Sequence, residues 1–224
     1  MTTNPASQTN VARALDQLRE LIFSGALAPG SNHLESELAL RLGMSRTPIR
    51  EAAMVLEQQG LVTVQPRKGI RILPVSVEDM TEIYDILTAL EAQAAADAAR
   101  LRPSAQACAP LVSAIDAMDA ALAVGDLVAW AEADDVFHAA LVALGGNRRL
   151  AAITAQLADQ VRRARRATLF LRPMPHQSNA DHRAVVEAIA AGEADLAADL
   201  HRAHRIAAKE MLIALLQRHQ LQQL

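Results

Sequence analysis

From Glu35 to Leu73 the apolar positions change rhythm, and the change marks out a small domain. Leu38, Ala39 and Leu42 fall at helical spacing, and Gly43 ends that short helix. In the next stretch, SRTPIREAAMVLEQQG, Ile49, Ala52, Ala53 and Leu56 line one face of a second helix. After Gly60 the period shortens. Leu61 to Val64 and Ile70 to Leu73 are rich in β-branched residues and predict two strands, joined by Gln65-Pro66-Arg67-Lys68-Gly69. Upstream, Ala14, Leu15, Leu18, Leu21 and Ile22 predict a helix over 11–24, closed by Gly25 and the Pro29-Gly30 turn. Beyond Pro74-Val75-Ser76 only helical periodicity remains. Helices are predicted near 76–101, 104–124, 126–144, 148–171, 178–191 and 193–218, broken at Pro103, Gly125, Gly145-Gly146-Asn147, the segment from Pro173 to Ser178, and Gly192. Six helices with short connections make an antiparallel bundle. The chain therefore reads as mainly α: a polar tail over 1–10, a helix-and-hairpin domain over 11–73, a linker over 74–77, and an all-α bundle over 78–224.

The first domain has the order of a winged helix-turn-helix. Ser45, Arg46, Thr47 and Arg50 open its second helix opposite the apolar face, so that face anchors the helix and its N-terminal end looks outward. Ser45 or Thr47 can cap it, and Pro48 is tolerated in the first turn. Hydroxyls, forked guanidiniums and free N–H groups at a helix start suit DNA phosphates and base edges. Arg67, Lys68 and Gly69 give the hairpin a basic tip able to enter a minor groove or lie along phosphates. The competing reading is a small α+β core with a solvated loop.

A second group of residues lies in the bundle. Asp134 and His138, four apart in AEADDVFHAALVAL, share a helix face with Phe137, Leu141 and Leu144. His182 runs with Val185, Val186 and Ile189, and His204 with Leu200, Ala207 and Met211. Three imidazoles and a carboxylate from three helices suit a divalent transition metal (zinc, nickel, iron or manganese) rather than magnesium or calcium. Taken singly, each is equally a hydrogen-bonded core residue. His201 falls beside Arg205, on what reads as a more polar side of the last helix, and His33, His176 and His219 read as surface. Arg162 and Arg166 share one side of their helix, where a guanidinium could clamp an effector carboxylate; the alternative is a solvated face.

The segment 11–73, most visibly SRTPIREA and PRKGIRI, resembles the winged-helix domain of the GntR superfamily, and the rest resembles the FadR-type (FCD) helical effector domain. The resemblance implies a dimer reading a palindromic double-stranded DNA operator, most often as a repressor relieved by a small carboxylate effector. It also implies a metal on an Asp and a His at this spacing and on two later His, matching Asp134, His138, His182 and His204. Two departures stand out. Leu87-Thr88-Ala89 precedes Leu90-Glu91 where many such domains carry an Arg, and Ser36 stands where many relatives have a basic residue.

Charge is split in the sense DNA requires: residues 1–73 carry 8 Lys and Arg against 6 Asp and Glu, and residues 74–224 carry 14 against 19. A single cysteine, Cys108, leaves no internal disulfide and fits a reducing cytoplasm. No basic-then-apolar leader and no apolar run long enough for a bilayer is present, so no membrane association is expected. The expected function is a DNA-binding regulator and not an enzyme. A metal sensor and a metal-dependent hydrolase remain as rivals, the second without an accompanying general base or oxyanion loop.

Overall fold

A computed structural model describes residues 5–219 and divides the chain between Ser76 and Val77 into two compact units. The first contains α1 (Pro5–Phe23), β1 (Asn32–His33), α2 (Glu35–Leu42), α3 (Arg46–Gln58), β2 (Val62–Gln65) and β3 (Gly69–Ile72). The apolar faces expected from the sequence meet in one core: Leu18 and Ile22 of α1, Leu38 of α2, Ile49 and Leu56 of α3, and Ile70 and Ile72 of β3 are buried together. α1 and α2 pack on α3, and α3 packs on β2. The left-handed Gly43 ends α2, its N–H returning to the carbonyls of Ala39 and Leu40.

Two features differ from the sequence expectation. α1 starts at Pro5, so much of the anticipated tail over 1–10 is helical, while residues 1–4 lie outside the described residues. Proline suits a first helical turn, and a polar helical segment carries no apolar period by which to recognise it. The sheet also has a third, two-residue strand, with antiparallel order β1-β3-β2. It leaves His33 half-buried and bonded to Ser31 rather than on the surface.

The hairpin tip is held by a type II-like turn. Lys68 N–H donates to the Gln65 carbonyl, Pro66 takes the first central position, and Arg67 adopts a left-handed φ of 65°. Gly69 follows at φ 89°, where a Cβ would lie 2.3 Å from the His33 carbonyl oxygen. Glycine is therefore required here by backbone approach as well as by conformation.

The second unit comprises α4 (Val77–Arg100), α5 (Ala105–Ala123), α6 (Leu127–Leu144), α7 (Arg148–Thr168), α8 (His176–Ala191) and α9 (Ala194–Arg218). The helix expected over 148–171 is α-helical only to Thr168, with a 3₁₀ turn over Leu169–Leu171. α4 is the central helix, packed against α6, α7, α8 and α9. Its run of buried alanines, Ala92, Ala94, Ala95, Ala96, Ala98 and Ala99, lets neighbours approach closely. At Gly145 a Cβ would come within 2.7 Å of the Ala94 carbonyl oxygen. A polar chain also ties the bundle: Trp130 Nε1 of α6 donates to Asn179 of α8 (2.9 Å), whose amide donates to Asp119 of α5 (2.7 Å). Among the described residues no helix is long and apolar enough to cross a membrane.

The wing geometry gives a direct test. Gly30 shares a positive φ of 75° but has nothing within 4 Å of a built Cβ, so Gly30→Ala should destabilise by roughly 1 kcal/mol from backbone conformation alone. Gly69→Ala adds a backbone collision and should cost clearly more, at least about 2 kcal/mol. Chemical denaturation of the two variants checks this, and equal losses would refute the close approach.

Candidate functional site

The helical bundle concentrates its buried charge in one place. Asp134 and His138, one turn apart on α6, face His182 of α8 and His201 and His204 of α9. One ring nitrogen from each of His138, His182 and His204 lies within 4.8 Å of the others. Asp134 Oδ2 is 3.6 Å from His138 Nε2, and Asp134 Oδ1 is 3.7 Å from His182 Nε2. The four residues singled out in the sequence thus converge.

Hydrogen bonding separates ligand candidates from their supports. His138 Nδ1 is 2.9 Å from Glu91 Oε2, and His204 Nδ1 is 3.3 Å from Asp181 Oδ2, which leaves Nε2 of each ring available. Carboxylates bonded to the remote nitrogen are the usual supports of metal-binding imidazoles. His182 is fully buried, and neither of its nitrogens has a hydrogen-bond partner; Asp134 Oδ1 has none either. Leaving such groups unpaired costs about 1–3 kcal/mol each. A species that accepts imidazole lone pairs and attracts a carboxylate relieves both, so the donor set fits a divalent transition metal ion. A second grouping, Glu91, His138 and His201, is equally tight. There Glu91 Oε2 already meets both rings at 2.9 Å, so the atoms that would face an ion are engaged, although His201 Nδ1 on the far side of its ring has no partner.

The electrostatics follow from burial. Burial pushes the Asp134 carboxyl up, but Arg165 and the imidazoles of His138, His182 and His204 together outweigh it and hold the group well below the usual carboxylate range. Glu91 behaves likewise, with Arg205, His138 and His201 overcoming burial. The imidazoles go the other way. Burial lowers His182 and His204, and brings His201 down to about 4 despite its bond to Glu91. They are therefore neutral at physiological pH, as ligation requires.

Two sequence expectations need correction. His201 is not on a polar side: it is fully buried, and Arg205 is only 3% exposed. The inward face of α9 passes through His201, Arg205, Leu212 and Leu216, with His204 at its edge, whereas Ala207 and Met211 are exposed. Nor do Arg162 and Arg166 enter the site. Arg162 pairs with Asp135 (2.8 Å) and Asp159, and Arg166 reaches Glu132. Arg163 and Arg165 are both buried on α7, and Arg165 is the one that reaches the site, donating to Asp134 and, at 3.2 Å, to Asp135. Arg165 lies in the basic run Arg162, Arg163, Arg165 and Arg166 that the sequence shows, but its inward orientation, like the site roles of Arg205, Glu91 and Asp181, was not read there. One available signal was the isolated carboxylate of Glu91 in an alanine-rich helix; another was the four-residue spacing of His201 and Arg205.

Beside the cluster is a cavity of about 120 Å³. Asp134, His138 and His204 line it together with Arg165, Arg172, Arg205, Tyr84 and Trp130.

In the first unit, α3 begins at an exposed corner. Ser45 occupies the N-cap position but makes no side-chain cap bond, and Ser45, Arg46, Thr47 and Arg50 are all exposed. Arg46 reaches Glu35 at 3.3 Å, and its side chain is still 70% exposed. Arg67 and Lys68 are exposed at the hairpin tip. Ser36 is exposed on α2, giving no charge there.

The family model for bacterial regulatory proteins of the gntR family matches residues 10–72, and the FCD domain model matches residues 82–207. The chain is a GntR-family transcriptional regulator with an FCD domain. It is 42% identical over 140 residues to an HTH-type transcriptional regulator in the TAR-I ttuE-ttuC' intergenic region of Agrobacterium vitis, covering 62% of this chain and 82% of that one. It is 28% identical over 196 residues to the HTH-type transcriptional repressor GlaR of Escherichia coli, covering 84% and 88%. Among solved structures, Escherichia coli McbR/YncC superposes with a TM-score of 0.78 at 21% identity, covering 98% of this chain and all of that one. These similarities make the regulator a DNA-binding protein and remove the hydrolase reading. The GntR domain is the DNA-binding unit, and the imidazole cluster belongs to the FCD domain.

Because His182, His201 and His204 are buried in the neutral form and take up protons on unfolding, their contribution to stability is complete above pH 6.5 and lost as pH falls toward about 4, the His201 value. The melting temperature of the metal-free FCD domain should fall across that window. His201→Gln should remove up to roughly 3 kcal/mol of the dependence, at about 1.4 kcal/mol per pKa unit. Melting curves at pH 7, 5.5 and 4.5 test it; an equally steep dependence in the variant would refute the assignment.

Proposed function

We propose that this regulator is a cytoplasmic, homodimeric repressor whose FCD domain holds one divalent transition metal ion and takes a small carboxylate effector beside it. Asp134, His138, His182 and His204 are its ligands, with Glu91 and Asp181 orienting two of the rings. The observation carrying this reading is the fully buried His182 with no partner for either nitrogen, facing the equally unpartnered Asp134 Oδ1. The ion would supply open coordination positions to an incoming carboxylate, and zinc, nickel, iron and manganese all suit the donors.

At the DNA, Arg46 and Arg50 read base edges at the start of α3, and Ser45 and Thr47 hold phosphates. Arg67 and Lys68 approach the backbone or minor groove, with Gly69 shaping the turn. A two-fold dimer offers two copies of α3 to a palindromic operator. Repression is supported by relatives such as GlaR, named as a repressor. The cavity opening onto Asp134, His138 and His204 favours a small-molecule signal over a regulator that senses the metal alone.

Operator titration at fixed salt tests the whole reading. Arg46→Ala or Arg50→Ala should weaken specific binding about tenfold or more, whereas Lys68→Ala should weaken all sequences evenly and flatten the salt dependence. A carboxylate effector should change the operator affinity of metal-loaded protein about 5- to 150-fold, the usual range of allosteric coupling, and have no effect on His182→Ala. Unchanged affinity in both arginine variants would overturn the docking. A response to metal alone, with none to any carboxylate, would make the protein a metal sensor.

A further inference from the structure

The cavity in the FCD domain is lined by three guanidiniums, and two of them have buried N–H groups with no partner. Of its three guanidiniums, Arg165 is engaged by Asp134 and Asp135. The other two are not satisfied. Arg205 is 3% exposed and stacks over Tyr84 at 4.6 Å. Its Nε and Nη2 have no hydrogen-bond partner, and the approach of Nε to Glu91 Oε2, at 3.7 Å, is too long for one. Arg172 gives Nη2 to Thr168 Oγ1 at 2.9 Å, while its Nε is buried and unpartnered. Among the described residues no carboxylate lies within ion-pair distance of Arg172, and burial pushes its guanidinium down to about 10. Arg162 and Arg166, on the outer side of α7, already have carboxylate partners.

Buried guanidinium N–H groups facing a cavity are complementary to an acid group, and their planar fork matches a carboxylate in particular. With the ion of the proposed function in place, Arg165, Arg172, Arg205 and the metal oppose Asp134, Asp135, Asp181 and Glu91, and the buried N–H groups of Arg172 and Arg205 still have no acceptor. The cavity, about 120 Å³, has room for a small organic acid.

We propose that the effector is a short-chain dicarboxylate, with one carboxylate taken at the metal and the second by Arg172 and Arg205. This rests on the metal-and-effector reading above.

Calorimetric titration of the metal-loaded full chain with matched pairs decides it: malonate against propionate, succinate against butyrate, and glutarate against pentanoate, with metal content measured on every sample. At least one dicarboxylate should bind about tenfold or more tightly than its monoacid partner, the usual worth of a charge-assisted contact. Arg172→Gln should shrink that preference to about threefold or less at unchanged metal content. Arg205→Lys, checked by circular dichroism, should do the same and guards against a variant that reshapes the bundle. Equal affinity for both members of every pair, or a preference that survives in Arg172→Gln, overturns the dicarboxylate assignment alone. A protein that retains no metal, or that binds neither series when loaded, overturns the reading beneath it and this inference together.

Discussion

The FCD domain is organised around a carboxylate, Asp134, that is buried and ionised, and an ionised group without water must be surrounded by compensating charge. Arg165 supplies a guanidinium from α7, and His138, His182 and His204 supply ring nitrogens from α6, α8 and α9. Glu91 repeats the arrangement on the other side of His138, receiving His138, His201 and the nearby Arg205. The two carboxylates make a continuous polar core through an otherwise alanine- and leucine-rich bundle. Such a core is costly unless every member is paired, which is why the unpaired atoms at His182, Asp134, His201, Arg172 and Arg205 stand out.

The same arrangement provides a means of regulation. A ligand shifts a conformational equilibrium only by the difference in its affinity for the two states. Helices α6, α8 and α9 each contribute ligand candidates, and α9 and the segment after α7 contribute the unsatisfied guanidiniums. An acid that bridges the two sets would therefore favour arrangements in which these helices stay together. Allosteric couplings of 1–3 kcal/mol are typical and are comparable to one or two charge-assisted hydrogen bonds.

Much of this was legible in the sequence. Helix ends were marked by Pro103, Gly125, Gly145-Gly146 and Gly192, and the strong period of α3 and the Pro-Arg-Lys-Gly turn exposed the DNA-binding unit. Asp134, His138, His182 and His204 stood out because polar residues on apolar stripes are rare. What escaped was orientation on weakly marked helices. The inward face of α7 runs through Val161, Ala164, Arg165 and Thr168, too polar to reveal itself, so the four-residue pairing of Arg162 and Arg166 drew attention instead. On α9, Leu200 and Met211 suggested one stripe, whereas Leu212 and Leu216 fix another that buries His201 and Arg205. Glu91 was hidden for a related reason, since its burial depends on partners from two other helices.

The central claim is that the ion sits on Asp134, His138, His182 and His204 rather than on the neighbouring Glu91, His138 and His201. X-ray absorption at the metal edge of the loaded protein counts imidazole ligands directly. Three imidazoles with oxygen donors completing the shell are predicted, at nitrogen distances near 2.0–2.1 Å if the ion is zinc. A shell with only two imidazoles, or with none, would contradict the account.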